Sequence, residues 1–262
     1  MPNFAANLTM MFNEYEFLDR FKAASQSGFK GVEFLFPYDY NKQEILENLK
    51  SNNLNQVLHD LPAGNWDAGD RGNACQPDRI GEFQDGVGLT IEYAKVLECP
   101  NVTCLAGIPD NNSDPEKLKT TFIDNLKFAA DELKKHNIKL LIEPINTIDI
   151  PGFYLTNTNQ ALSIIKEVNS DNIGLQYDIY HMQIMEGDLT RTIQSNIDSI
   201  SHFQLADNPG RNEPGTGEIN YPFIFETIDK LDYKGWIGCE YKPLSTTENG
   251  LDWVKKHLLG AN

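Results

Sequence analysis

At 262 residues, 40% of them hydrophobic, the chain has material for a sizeable core and the length typical of one α/β barrel. No segment approaches a membrane span, and the opening MPNFAANLTMMF lacks a basic region followed by a long apolar core and a cleavage site, so no membrane partner and a cytoplasmic location are expected. The formal charge of −16 is spread along the chain without a basic block, which argues against a nucleic-acid surface, and the four cysteines (Cys75, Cys99, Cys104, Cys239) show neither CxxC spacing nor the density of a disulfide scaffold.

Short strand-like runs alternate with helical patterns from end to end, the mark of repeated βα units around a parallel sheet. Strands are predicted at residues 4–7, 31–35, 56–60 and 102–106, followed in turn by helices at 14–27, 42–52, 79–97 and 115–136. The second half repeats the alternation, with strands at 140–144, 173–178, 202–206 and 236–241 and helices at 157–169, 189–197, 221–231 and 246–259. Helix 115–136 is the clearest: Leu118, Phe122, Leu126, Ala129 and Leu133 make one stripe, Ser113 or Asp114 is placed to cap it, and Pro115 opens its first turn. Eight strand–helix pairs with no linker predict an α/β chain folded as a single (β/α)8 TIM barrel, one domain over residues 1–262. The runner-up, an open doubly wound sheet, would usually show a glycine-rich phosphate turn after the first strand, and AANLTMMF has none. The longest connections, residues 61–78 and 146–157, follow strands three and five and so fall on the catalytic face of a barrel; the first, with Trp66 among Gly, Asp and Asn, reads as a lid or as an ordinary surface excursion.

Two apolar strand runs close on a glutamate. KLLIEPIN closes an apolar run with Glu143, and WIGCEYKP closes another with Glu240. Side chains alternate along a strand, so Glu143 shares a face with Leu141, Asp178 with Gln176, Gln204 with His202, and Glu240 with Gly238, while the apolar neighbours point out to the helices. Four consecutive strands therefore deliver Glu143, Asp178, Gln204 and Glu240 to one end of the barrel. Three carboxylates and an amide oxygen form a hard, all-oxygen set that suits Mg²⁺ or Mn²⁺ better than Zn²⁺, and without a cation the carboxylates would repel one another. The bland alternative is that loop groups or water satisfy each residue separately.

His181, three residues beyond Asp178, is read as a donor to a substrate oxygen, and His59, near the end of strand three, as a second residue lining the mouth. His202 and Gln176 are expected in a polar layer inside the barrel. In the loop ADNPGRNEPGTGEINYP, Arg211 is the only cation and is placed to grip an anionic or polyhydroxylated substrate, with Glu213 orienting its guanidinium; Lys242 is a second candidate for a substrate carboxylate.

On these residues the chain resembles the hydroxypyruvate isomerase family, within the xylose-isomerase-like barrels. The resemblance spans nearly the whole length and is most specific in FAANLTMMF, GVEFLFPYDY, FIDNLKFAAD, QYDIYHMQIMEGDL, NEPGTGEINYP and GWIGCEYKP. It implies a divalent metal held at Glu143, Asp178, Gln204 and Glu240, with Glu143 and Glu240 as the pair that moves the proton. It also implies substrate contacts at His181 and Arg211. Relatives on the sugar-epimerase branch often carry histidine at the third ligand position, so Gln204 fits the hydroxypyruvate-isomerase-like branch. The implied reaction interconverts hydroxypyruvate and tartronate semialdehyde through an enediolate, on a small hydroxy-oxo acid or sugar-like substrate, in a chain whose relatives often form homo-oligomers. The readings left beside it are a four-carbon oxo-acid (2-oxo-tetronate type) isomerase, a ketose 3-epimerase, a metal-dependent endonuclease and a non-catalytic ligand-binding barrel.

Overall fold

The computed structural model describes residues 2–110 and 112–258. Its strands are β1 (Asn3–Asn7), β2 (Gly31–Glu33), β3 (Asn55–Asp60), β4 (Asn101–Cys104), β5 (Lys139–Ile142), β6 (Ile173–Asp178), β7 (Ile200–Leu205) and β8 (Trp236–Cys239). Each pairs in parallel with its neighbours in sequence order, and β1 closes on β8 to complete the barrel. The helices are α1 (Phe17–Gln26), α2 (Lys42–Ser51), α3 (Ile80–Leu97), α4 (Pro115–Lys134), α5 (Thr158–Val168), α6 (Ile179–Met185), α7 (Leu189–Asn196), α8 (Tyr221–Lys230) and α9 (Lys255–Leu258). None is long and apolar enough to cross a membrane among the described residues.

Local chemistry explains where elements start. Asp114, rather than Ser113, caps α4 by accepting from the Glu116 N–H at 3.0 Å, with Pro115 in the first turn where no N–H is needed. Two elements depart from expectation. Helix α6 was not anticipated, because IYHMQIM follows β6 with no Gly or Pro between; Asp178 ends the strand and caps the helix, its Oδ1 accepting from Tyr180 N at 2.8 Å. The last predicted helix is instead a 3₁₀ turn at Glu248–Gly250 and the short α9, and Leu259 lies outside the described residues. Thr247 ties this segment down, with its backbone N–H and hydroxyl both bonded to Glu14 and Phe12 N donating to its Oγ1 at 2.6 Å.

The alternation read from the strands is seen in the packing. Leu140, Ile142, Leu175, Tyr177, Phe203, Leu205, Ile237 and Cys239 belong to the cluster between barrel and helices. Leu141, Ala5, Val57 and Leu58 form a separate apolar cluster against Trp236. The interior is also crowded with polar groups. A Cβ on Gly238 would lie 2.2 Å from Glu33 Oε1, so glycine at this inward position makes room for a buried carboxylate. The connection at residues 61–78 is pinned near its end: Gly72 bridges Ala106, and Asn125 Nδ2 donates to Ala74 O at 2.8 Å. Its Trp66 packs against Phe36 and carries the Arg71 guanidinium 4.0 Å from the ring centroid.

Candidate active site

The C-terminal ends of the strands gather a dense set of buried acids. Glu143 lies one residue past β5 and Glu240 one past β8, with 5% and 7% of their surface exposed, while Asp178 is fully buried. Buried carboxylates without partners are costly, yet Glu143 Oε1 and Asp178 Oδ2 accept no hydrogen bond. Burial raises the Glu143 pKa well above the ordinary range, and the charges of Glu240, Asp178 and Asp60 add to it. Burial likewise pushes Asp178 up to about 6 and Glu240 up to about 7, in both cases against the pull of Arg211. Asp60, at the end of β3, is raised well above its ordinary value by burial and then by Glu240 and Glu33.

These acids fit a divalent cation. Glu143 Oε1 and Asp178 Oδ2 are the carboxylate oxygens left without a partner among the described residues, and Glu143, Asp178 and His181 each offer an atom within 4.8 Å of those of the other two. The other two expected ligands are engaged. Glu240 Oε1 accepts from Asn7 Nδ2 at 3.2 Å and Oε2 from Arg211 Nη2 at 2.6 Å; Gln204 Oε1 accepts from Gln176 Nε2 at 2.6 Å. A carboxylate or amide oxygen has two acceptor sites, so each keeps one for a metal. Gln204 is oriented by Glu33, whose Oε1 accepts from Gln204 Nε2 at 2.8 Å and whose Oε2 lies 2.7 Å from His202 Nε2. His202 and Gln176 thus sit in the interior polar network, as the strand parity requires; Thr103 Oγ1 closes it onto Gln176 Oε1.

His181 lies in α6, with Nε2 3.5 Å from Asp178 Oδ2 and 4.0 Å from Glu143 Oε1. Burial lowers its pKa well below the ordinary value, and the Arg211 charge adds to this. Arg211 is held between Glu240 and Asp149, its Nη1 3.5 Å from Asp149 Oδ2, with its guanidinium carbon 5.1 Å from the Tyr180 ring centroid. Its Nε is buried with no hydrogen-bond partner.

Two of the expected substrate contacts, His59 and Glu213, are held by other groups. His59 pairs in register with Val102, which packs against the helices, whereas Asp60 pairs with Thr103, which points inward. The His59 ring therefore faces the helix layer, edge-on to Tyr38, whose hydroxyl meets Thr90 of α3. Burial drops its pKa to about 3. Glu213 does not orient Arg211: its Oε2 accepts from Leu244 N at 3.0 Å and steadies the segment after β8. Lys242 has an exposed side chain, and its backbone N–H donates to Arg211 O at 2.7 Å. The loop carrying Arg211 is organised by buried Asp207, which accepts from the backbone N–H groups of Asn208, Gly215, Gly217 and Ile219.

Several site residues escaped the sequence reading. Glu33 in GVEFLF and Asp60 in QVLHD carry the same signal as Glu143, an acid inside an apolar run, and Asn7 ends β1 in the same manner. Asn146 and Asp149, by contrast, lie in an irregular connection where no periodicity points inward.

Comparison with known proteins places this geometry. The xylose isomerase-like TIM barrel family matches residues 21–257. The hydroxypyruvate isomerase of Escherichia coli strain K12 is 54% identical over 254 residues, covering 97% of this chain and 98% of its own. The 2-oxo-tetronate isomerase of Cupriavidus necator is 45% identical over 258 residues, covering 98% and 99%. Among solved structures, a family 2 AP endonuclease from Brucella melitensis superposes with a TM-score of 0.95 at 46% identity, covering 97% of this chain and 98% of that one.

Proposed function

From a chain that belongs to the xylose isomerase-like TIM barrel family, we infer an isomerase that interconverts hydroxypyruvate and tartronate semialdehyde. The observation that carries this reading is the pair of buried glutamates, Glu143 and Glu240, at the ends of β5 and β8, both with raised proton affinity. Isomerisation needs a proton taken from the carbon beside a carbonyl and returned to the carbonyl carbon, and carboxyl groups whose proton affinity is raised by burial are suited to both. A Mg²⁺ or Mn²⁺ held by Glu143, Asp178, Gln204 and Glu240 would supply Lewis-acid stabilisation of the enediolate charge.

The chain's own residues do the rest. Glu143 and Glu240 exchange the proton with the two carbons. His181 Nε2 and the unpartnered Nε–H of Arg211 are donors for substrate oxygens, and the guanidinium offsets the substrate carboxylate. Asn7 and Arg211 fix both oxygens of Glu240, so its carboxyl is oriented before substrate arrives. The four cysteines are free and buried, consistent with a protein of the reducing cytoplasm.

A second reading follows from the 45% identity to 2-oxo-tetronate isomerase: the same chemistry on an acid one carbon longer. Steady-state turnover of hydroxypyruvate, 2-oxo-tetronate and free ketohexoses, before and after chelation, separates these. Higher kcat/KM on hydroxypyruvate, lost in Glu143→Gln and Glu240→Gln with an unchanged circular dichroism spectrum, supports the first reading. Preference for 2-oxo-tetronate moves it to the second, and activity on ketohexoses alone overturns both. Cleavage of abasic DNA would point to the endonuclease activity named for the Brucella protein; the charge of −16 opposes it.

A further inference from the structure

We propose that Asn146 is a positioning residue that fixes His181 as its Nε2–H tautomer, so that the ring meets the carboxylate cluster as a hydrogen-bond donor and not as a metal ligand. His181 has the right distances for either role, since its ring nitrogen completes a group with Glu143 and Asp178 that could hold an ion. The decision rests with the other ring nitrogen. Nδ1 lies 2.6 Å from Asn146 Nδ2 and 3.4 Å from Asn146 N.

Which end of the Asn146 amide faces the ring is settled by three other contacts. Its Oδ1 accepts from Ile148 N at 3.0 Å and from Asp149 N at 2.8 Å, and its Nδ2 donates to Asp149 Oδ2 at 3.2 Å. Rotating the amide by half a turn would set Nδ2 against two backbone donors and Oδ1 against a carboxylate. The amide nitrogen therefore faces His181, and Nδ1 stands before two N–H donors. A nitrogen facing two N–H donors accepts and carries no proton, so the one proton left to the ring is on Nε2. Protonated Nε2 has no lone pair for a metal. Nε2 lies 3.5 Å from Asp178 Oδ2 and 4.0 Å from Glu143 Oε1, so its proton is presented on the carboxylate side of the ring.

The arrangement also ties the connection after β5 to the rest of the site. Asp149 Oδ2 accepts from Asn146 Nδ2 and from the Tyr180 hydroxyl at 3.0 Å, and Arg211 Nη1 approaches the same oxygen. Asn146 thus orients one donor, His181, and shares an anchor with another, Arg211.

The test is the ring itself, read by long-range ¹H–¹⁵N correlation spectra of histidine-labelled protein with and without Mg²⁺, with the His181 signals identified by their loss in His181→Asn. The expected wild-type pattern is a protonated Nε2 and an unprotonated Nδ1, the same in both conditions. Asn146→Asp replaces the facing donor by an acceptor and should move the proton to Nδ1; Asn146→Ala, which adds no charge beside Asp149, should give a mixture of tautomers. A wild-type ring protonated on Nδ1, an Nε2 signal that shifts to a metal-bound position with Mg²⁺, or an unchanged tautomer in both variants would overturn the assignment. In kinetics, Asn146→Ala should lower kcat/KM about tenfold or more, with part restored in Asn146→Gln. That consequence rests on the isomerase reading, whereas the spectra need no substrate and stand if hydroxypyruvate proves not to be turned over.

Discussion

Proton release on metal binding is the sharpest quantitative consequence of the acid cluster. Ligation needs ionised carboxylates, yet Asp178 is pushed from 3.8 up to about 6 and Glu240 from 4.5 up to about 7. At about pH 5 the first must lose its proton against roughly one unit and the second against roughly two. Three units at about 1.4 kcal/mol each amount to about 4 kcal/mol, or about 10³-fold in affinity. Isothermal titration with Mn²⁺ should therefore show binding at least about 10³-fold weaker at about pH 5 than at about pH 8, since the raised Glu143 adds to the penalty, with about two or more protons released per ion at about pH 5 in buffers of differing ionisation enthalpy. In chelated protein the sign for stability follows from linkage. A carboxylate with a raised folded pKa contributes fully below its unfolded value, and that contribution is lost as pH rises through about 4 to 7. His59, depressed from 6.5 to about 3, acts in the opposite sense, but it packs against Tyr38 away from the carboxylate cluster and cancels in the binding measurement. Affinities within tenfold of each other at the two pH values, or no proton release, would refute the picture of a buried, protonated cluster opened by a cation.

Other perturbations test single placements. Arg211→Lys loses the planar group that reaches Glu240 and Asp149 together while lying against Tyr180, and kcat/KM should fall about 10- to 100-fold; wild-type kinetics would remove Arg211 from the site. Gly238→Ala puts a methyl 2.2 Å from Glu33 Oε1, a carboxylate held by Asn7, Gln204 and His202, so urea denaturation should show a loss of about 1–3 kcal/mol. A stability unchanged from wild type would mean that Glu33 moves freely. His59→Leu should leave kcat/KM within about twofold of wild type, because the ring faces α3, and a tenfold loss would return it to the barrel mouth.

The barrel was legible because its determinants are local and periodic. Apolar alternation in LIEP, LQYD, HFQL and IGCE is a property of the strands themselves, and it places Glu143, Asp178, Gln204 and Glu240 at one end without reference to any neighbour. The same rule applied to GVEFLF and QVLHD would have added Glu33 and Asp60. It would also have turned His59 outward, since that residue precedes inward Asp60 by one. Helix α6 lay beyond it, because seven residues are too few for a helical period to stand out from the strand that runs into them.

Side-chain partnership was not in the sequence. Arg211 and Glu213 are two residues apart, yet Arg211 bonds Glu240 and Glu213 bonds Leu244 N, since the loop around Asp207 sends them different ways. The chain by itself determined the barrel, the end of it that carries chemistry and most of the acids gathered there, all consequences of period-two geometry. Only the tertiary structure decided which oxygens are left without partners, which way His181 carries its proton and what holds Arg211. Those depend on groups brought together from distant parts of the chain, and hydrogen-bond direction is set by all the partners at once.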